Sequence, residues 1–543
     1  MFQRYANALL LSWGWQRLFF AFFFGALSAL SQAPYNFFPV LWFTFPSLVW
    51  LLDSTGIGRD EQKKGAVTSA FSVGWSFGFG YFLAGLWWIG AAFFVDADEF
   101  GWMAPIAVLA MPAGLALFWG IALALARLFW REDWRRILLL AIALSTAEYF
   151  RSVILTGFPW NALGYVFAGN GFMAQAAAVV GISGLNFLAV FIFSAPAALI
   201  SGSAVSRTAG RIVVSVAGIG LMLISGFGLY WLSGPEAEAM SDVRVRIIQP
   251  NIPQREKWRP ENRQLILDKY IELSQFQAAD AGGDEPVPPL LIWPESAFPF
   301  LLTEEPGALS KIARMLPQGA HLVTGAIRQI DLGAAKSTFN SIYVIGHEGT
   351  ILDVYDKVQL VPFGEYVPFQ PFLERIGIEQ LTRLPGGFSA GYERKNLQIP
   401  GLAPVSPLIC YEVIFSGQIT SDAAEDVTEQ NKAQWIVNVT NDAWFGDTPG
   451  PHQHFAQARL RAIEEGLPLL RAANTGISAI INANGIVLSS LKIDSEGVID
   501  GYLPEARSTA LFLYSRRYAL LVLILVSICI ILVGSYAKST RVD

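Results

Sequence analysis

Apolar positions along this 543-residue chain follow two patterns: long unbroken runs in the first 240 residues and near the C-terminus, and short runs between turn residues elsewhere. A window of about 19 residues picks out apolar segments near 18–31, 36–52, 66–94, 103–126, 137–150, 172–200, 212–233 and 518–537. About eight membrane-spanning helices are therefore expected. The first segment resembles a secretory signal peptide in length, but no small-residue cleavage site follows it and another span does, so it is expected to be retained.

In the middle of the chain the pattern changes to charges, punctuating Gly and Pro, and short β-rich runs. VRVRIIQ (243–249), PLLIWPE (289–295), HLVTGAI (321–327), NSIYVIG (340–346), VSPLICYE (405–412), WIVNVTND (435–442) and SAIINANG (478–485) read as strands. Helical patterns lie between several of them, notably over 260–280 and 452–466, with Pro260 and Pro451 near their starts. Strands alternating with helices predict an α/β layered fold, in which functional residues sit at strand ends. The expected organisation is a membrane domain over 1–238 with about seven transmembrane helices, a soluble-type domain over 239–510, and a final span with its tail over 511–543.

Composition supports the membrane assignment. The chain is 53% hydrophobic and only 15% charged, too apolar for a soluble protein of this size. A net charge of −6 offers no basic surface, so no nucleic-acid partner is expected. The placement of charge says more than its sum. Arg59, Lys63 and Lys64 follow the second apolar segment, Arg127, Arg131, Arg135 and Arg136 the fourth, Arg207 and Arg211 the sixth, and Lys538 and Arg541 the last. The alternate loops QAPYN (32–36) and DADEFGW (96–102) have no Lys or Arg. By the positive-inside rule both termini face the cytoplasm and the large soluble-type domain lies outside. Arg516 and Arg517 run against this pattern and are expected to snorkel to headgroups.

Candidate chemistry is sparse and sits at predicted strand ends. Glu295 ends the run LIWPE, where apolar neighbours would raise its pKa toward that of a useful base, though a capping or solvated carboxylate fits the same pattern. Lys357 in VYDKVQL would supply fixed positive charge to an oxyanion, or snorkel at a surface. Cys410 in PLICYEVIF and Cys529 in the last span are the two cysteines, and no disulfide framework is possible. Cys410 is either a buried, inert thiol or a nucleophile. An activated thiol usually pairs with histidine, but there are only four: His321, His347, His452 and His454. The i, i+2 spacing of HQH (452–454) disfavours a helical metal pair, and no nearby Cys or carboxylate cluster completes a zinc set, so no metal or other cofactor is expected.

The order WPE, YDK, ICYE within one α/β domain resembles the nitrilase, or carbon–nitrogen hydrolase, superfamily. With TGFPW (156–160), NIPQREKW (251–258), the LVPFGEYVP run, NDAWFG (441–446) and a final span, almost the full chain resembles the apolipoprotein N-acyltransferases of the Gram-negative inner membrane. The resemblance implies an αββα sandwich domain in the periplasm, with Cys410 as nucleophile, Glu295 as general base and Lys357 as electrostatic stabiliser. It further implies support or substrate-binding roles for Trp258, Asn340, Glu365, Tyr411, Glu412 and Trp444. The implied reaction moves an acyl chain from a phospholipid, expected to be phosphatidylethanolamine, through a Cys410 thioester to the α-amine of a diacylglyceryl-cysteine at an apolipoprotein N-terminus. The enzyme is expected to work as a monomer in the bilayer.

Segment 361–381, rich in Phe, Leu, Ile and Pro, is expected to form either a lid at the membrane, with Phe369 and Phe372 on it, or ordinary domain core. Two other functions compete: a membrane-tethered amidase or nitrilase that uses the same three residues with water as acceptor, and a transporter whose outer domain binds ligand. Against the transporter stand the few ionisable residues in the spans, Glu148 being one candidate, and the lack of an obvious inverted repeat.

Overall fold

The computed structural model describes residues 2–56, 63–200, 204–234, 240–276, 288–331, 336–368, 375, 380–382, 387–420, 431–507 and 513–539. Arg59, Phe369, Phe372 and Arg541 lie outside the described residues. The chain forms two compact units, one of Met1–Gly90, Pro105–Ser233 and Thr509–Asp543, the other of Ala91–Ala104 and Gly234–Ser508.

The first unit is helical. Among the described residues, six helices are long and apolar enough to cross a membrane: Gly65–Phe94, Ala97–Arg127, Arg135–Thr156, Ala177–Leu199, Arg207–Leu232 and Ser515–Gly534. The first two expected segments are shorter helices, Gly14–Ser28 and Leu41–Asp53, of 15 and 13 residues. Both fall short of the ~20 residues that span a bilayer without tilt or thinning. Between them, a turn and the 3₁₀ helix Phe38–Val40 take up chain that hydropathy alone assigned to the spans.

The segment expected over 137–150 is longer than its apolar core, because its flanking charges are neutralised inside the unit. Arg135 and Arg136, read as loop charges, are instead buried in the first turn of this helix. Arg136 pairs with Asp53 at 3.0 Å and donates to the carbonyls of Ala197 and Ile200, both at 2.9 Å. At the other end Glu148 pairs with Arg151 at 2.5 Å and accepts from Trp119 Nε1 at 2.8 Å. Arg151 also donates to the Phe158 and Trp160 carbonyls, bracing the TGFPW turn. Glu148 is thus a structural partner of arginine, the arrangement that lets a charge sit among apolar helices.

The second unit is a four-layer sandwich. One sheet contains β1 (Met240–Gln249), β2 (Leu290–Trp293), β3 (His321–Asp331), β4 (Lys336–Gly346) and β5 (Ile351–Asp356). The other contains β6 (Val405–Ile409), β7 (Trp435–Thr440), β8 (Leu469–Ala473), β9 (Ala479–Ile481) and β10 (Val487–Ser490). Strand β11 (Gly497–Pro504) returns to the first sheet, whose order is β11-β1-β2-β3-β4-β5; the second runs β10-β9-β8-β7-β6. Pairs β1–β2, β2–β3, β6–β7 and β7–β8 are parallel.

The pleat explains why the strands read as continuous apolar runs. In β2, Leu290 and Ile292 point into a core shared with Val405, Ile409, Val437 and Leu470 of the other sheet. Leu291 and Trp293 point the opposite way, against Tyr270 and Ile312 of the helices Arg263–Gln275 and Pro306–Met315. Both faces of the strand are buried, so alternation disappears from the sequence. Each such side chain contributes roughly 1.5–3 kcal/mol. The helix Pro449–Glu465 is packed with the second sheet's strand β8 and the turn after β6. Residues 91–104, which include the Lys- and Arg-free DADEFGW loop, belong to this unit, and Arg255 donates to the Val95 carbonyl at 2.7 Å.

Candidate active site

Three strand ends converge. Lys357 follows β5 and Cys410 follows β6 directly, while Glu295 comes two residues after β2. The parallel strands deliver Glu295 and Cys410 at their carboxyl ends, where side chains leave the sheets. The turn bearing Glu295 lies so close to β3 that only glycine fits beside it. A Cβ on Gly325 would stand 2.5 Å from Glu295 Cα, and Ala297 N–H donates to the Gly325 carbonyl at 2.8 Å.

Lys357 is buried between two carboxylates. Its Nζ lies 2.8 Å from Glu365 Oε1 and 3.8 Å from Glu295 Oε1. Asn340 on β4 bridges the same pair, donating from Nδ2 to Glu295 Oε1 at 2.7 Å and to Glu365 Oε1 at 3.0 Å. Glu365 also accepts from Val361 N–H at 2.8 Å, which ties the described part of the PFGE loop to the site. Burial alone would lower the Lys357 pKa, but Glu365, then Glu295, outweigh it and hold the ammonium above its ordinary value. Burial raises the Glu295 carboxyl, with Lys357 opposing and Glu365 reinforcing. A carboxylate raised in this way is a stronger base than one in water.

Cys410 is half-buried at φ +49°, a left-handed conformation uncommon for a non-glycine residue. Burial pushes its thiol well above the ordinary value, Glu295 pushes it further, and Lys357 pulls it back. Cys410 thus lies in the electrostatic field of both Glu295 and Lys357, with burial favouring its thiol form. The arrangement can take up the thiol proton as a bond forms at sulfur and can hold negative charge on an attacked carbonyl oxygen. The neighbours give opposite, checkable shifts. Glu295→Gln removes a negative neighbour and should move the pH midpoint of Cys410 alkylation by iodoacetamide down, whereas Lys357→Met should move it up. Shifts of the same sign in both variants would contradict this field.

The remaining expected residues divide by position. Glu412, fully buried, accepts from Tyr355 O–H at 2.7 Å, Val358 N–H at 2.9 Å, Gln359 N–H at 3.2 Å, Arg394 at 3.2 Å and Ile409 N–H at 2.8 Å. It ties the loop that carries Lys357 to the strand that delivers Cys410. Tyr411 is buried, edge-on to Phe415 at 5.1 Å. Trp444 is half-buried in the 3₁₀ helix Asp442–Trp444, and Trp258 is exposed.

Two features escaped the sequence. Lys257, beside Trp258, is fully buried and donates to the Glu295 carbonyl at 3.1 Å. Burial lowers its pKa to about 8, with Glu295 opposing. On the other side, Cys410 Sγ, a carboxylate oxygen of Asp442 and a ring nitrogen of His454 lie within 4.8 Å of one another. This grouping runs against the expectation that no nearby Cys or carboxylate cluster completes a metal set with the HQH pair. The partners of His454 are not its helical neighbours but come from the turns after β6 and β7. Arg471 on β8 already places a cation on Asp442, at 2.9 Å. Burial would raise Asp442, but Arg471 and then His454 bring it down to about 2.

A model of the apolipoprotein N-acyltransferase N-terminal domain matches residues 24–195, and a carbon-nitrogen hydrolase model matches residues 244–510. An apolipoprotein N-acyltransferase of Rhodopseudomonas palustris is 44% identical over 533 residues, 98% of this chain and 97% of its own. The chain belongs to the apolipoprotein N-acyltransferase family. Another member, from Allorhizobium ampelinum, is 48% identical over 498 residues, 91% of each chain. A solved amidase of the nitrilase superfamily from Nesterenkonia is 22% identical, covering 52% of this chain and 96% of its own at a TM-score of 0.35. The acyltransferase is thus a multi-pass membrane protein in which apolar helices accompany a carbon–nitrogen hydrolase fold.

Proposed function

We propose that this acyltransferase moves an acyl chain from a phospholipid to the α-amine of the N-terminal diacylglyceryl-cysteine of apolipoproteins, in two steps through a thioester on Cys410. The carrying observation is the convergence on one thiol of a buried carboxylate and a buried ammonium, Glu295 and Lys357, 3.8 Å apart. In the first step Glu295 takes the thiol proton as Sγ bonds to the ester carbon. Lys357 and the Tyr411 N–H stabilise the oxyanion. Collapse breaks the carbon–oxygen bond, and Glu295 returns the proton to the departing lysophospholipid. In the second step the lipoprotein amine attacks the thioester carbon, Glu295 accepts a proton from nitrogen, and the sulfur leaves and is reprotonated. Splitting one acyl transfer into two makes each accessible to a single base.

Phosphatidylethanolamine is the donor in this reading, and the protein acts as a monomer. The domain boundaries follow residues 1–238, 239–510 and 511–543, with the catalytic domain in the periplasm and both termini in the cytoplasm. The distribution of Lys and Arg among the loops supports this topology, as does the inclusion of the Lys- and Arg-free 96–102 loop in the catalytic unit.

The competing reading keeps the site and changes the acceptor to water. Incubating the purified protein with phosphatidylethanolamine and a diacylated lipopeptide separates the two. Transfer gives a triacylated peptide and lysophospholipid in equal amounts. Release of free fatty acid with the peptide unchanged would favour hydrolysis.

A further inference from the structure

The groups behind Cys410 have no part in the chemistry above, yet they form a continuous rigid chain ending on its backbone. His454, on the helix Pro449–Glu465, is buried. Its Nε2 lies 3.1 Å from the Cys410 carbonyl oxygen. A carbonyl only accepts, so Nε2 carries a proton and donates it there. On the far side of the ring, Nδ1 stands 2.9 Å from Asp442 Oδ1 and 3.1 Å from Arg471 Nη2. Arg471 is itself held by Asp442 Oδ2, by Asn438 Oδ1 and by the Ile477 carbonyl at 3.2 Å. The strand-following turn that bears Gly476 presses on the same carboxylate: a Cβ there would come within 2.2 Å of Asp442 Oδ2. The ring therefore has little freedom to swing.

The carbonyl of Cys410 and the N–H of Tyr411 belong to one planar peptide group, and in a trans peptide they point in opposite directions. Whatever holds the carbonyl oxygen also aims the N–H. Cys410 sits at φ +49°, and such conformations persist only where the surroundings over-determine them. We infer that His454 is a positioning residue for acyl transfer: by donating to the Cys410 carbonyl it sets the plane of the Cys410–Tyr411 peptide and so aims the Tyr411 N–H at the oxyanion. Asp442 and Arg471 fix the ring that does this. The inference rests on the thioester reading, because it concerns the oxyanion formed when Cys410 attacks an ester.

Two reactions of the same sulfur separate positioning from general support. Acylation by a phospholipid passes through a tetrahedral oxyanion, whereas alkylation by iodoacetamide is a displacement at saturated carbon and forms none. In the full-length protein with phosphatidylethanolamine, His454→Leu is expected to slow Cys410 acylation by about 100-fold, the effect of losing one oxyanion donor. Iodoacetamide should label Cys410 at a rate within about twofold of wild type with an unchanged pH profile. His454→Gln, whose amide reaches the Nε2 position, should recover acylation to within about tenfold of wild type.

Acylation at the wild-type rate in the Leu variant would overturn the inference. So would equal losses of acylation and alkylation with no rescue by Gln. If the Leu variant does not fold, the comparison moves to His454→Gln against His454→Asn, which reaches only the Nδ1 position; Gln faster by about tenfold supports positioning and equal rates refute it. Failure of wild type itself to form a Cys410 adduct would instead overturn the thioester reading and this inference with it.

Discussion

Cys410→Ala is expected to leave a folded protein whose acyl transfer falls by about 10⁴-fold or more, as when the nucleophile of an interdependent catalytic set is removed. The substitution is mild for the fold. Cys410 is only partly buried, packed against the core between the sheets, and alanine at φ +49° carries the same backbone strain that cysteine does. What disappears is the group that carries the acyl chain in the proposed mechanism. Lys357 and the Tyr411 N–H can still polarise an ester carbonyl, but they have nothing to attack it with. The measurement is conversion of diacylated to triacylated lipopeptide in detergent or vesicles, with thermal unfolding as the control for folding. An alanine variant that retains a tenth of wild-type transfer would mean that the amine attacks the phospholipid directly.

Lys357→Met is expected to damage both rate and fold, by separable routes. In the proposed mechanism the oxyanion loses a charged donor, worth about 100- to 1000-fold in rate. The two carboxylates that Lys357 separates then face each other with Asn340 Nδ2 between them. Removing one partner of a buried ion pair costs about 3–5 kcal/mol, and one carboxyl is driven to hold a proton. If that carboxyl is Glu295, the base is lost as well. Adding Glu365→Gln removes the second negative charge and should restore much of the thermal stability while transfer stays low. Recovery of transfer in the double variant would show that Lys357 serves only to neutralise Glu365. Calorimetry and single-turnover acylation distinguish these outcomes.

The two-part architecture and the candidate site residues were legible in the sequence for different reasons. Strands such as LLIW and WIVNV are buried on both faces, so they stand out as short apolar runs. Strand β8, over LLRAA, was less visible because fully buried Arg471 interrupts it. Strands β10 and β11 carry exposed polar positions, and β5 has an exposed Leu352 and two part-buried aspartates, so all three lack that signature. In the membrane part, hydropathy found the apolar segments but misplaced Arg136, since a window cannot know that Asp53, 83 residues away in sequence, supplies its countercharge; Arg135, buried beside it, pairs with the neighbouring Asp133.

Cys410 taken alone favours a buried, inert thiol, and only the order of Glu295, Lys357 and Cys410 at strand ends argues otherwise. Lys257, Asp442, His454 and Arg471 were missed because their relation is three-dimensional. They come from a short helix, a turn, a long helix and a strand spread over more than 200 residues. One signal was available: a histidine, an aspartate and an arginine, each set in or beside an apolar run of the same α/β domain, where unpaired polar groups are costly.

The proposed mechanism requires Cys410 to carry the acyl chain between donor and acceptor. Intact-mass measurement of the protein isolated from membranes, followed by peptide mapping, tests it most directly. The expected result is a mass increase equal to one fatty acyl group, mapped to Cys410, lost on treatment with hydroxylamine or diacylated lipopeptide, and absent from Cys410→Ala. An adduct at another residue, or full transfer activity in a protein that never accumulates or exchanges acyl label at Cys410, would contradict it.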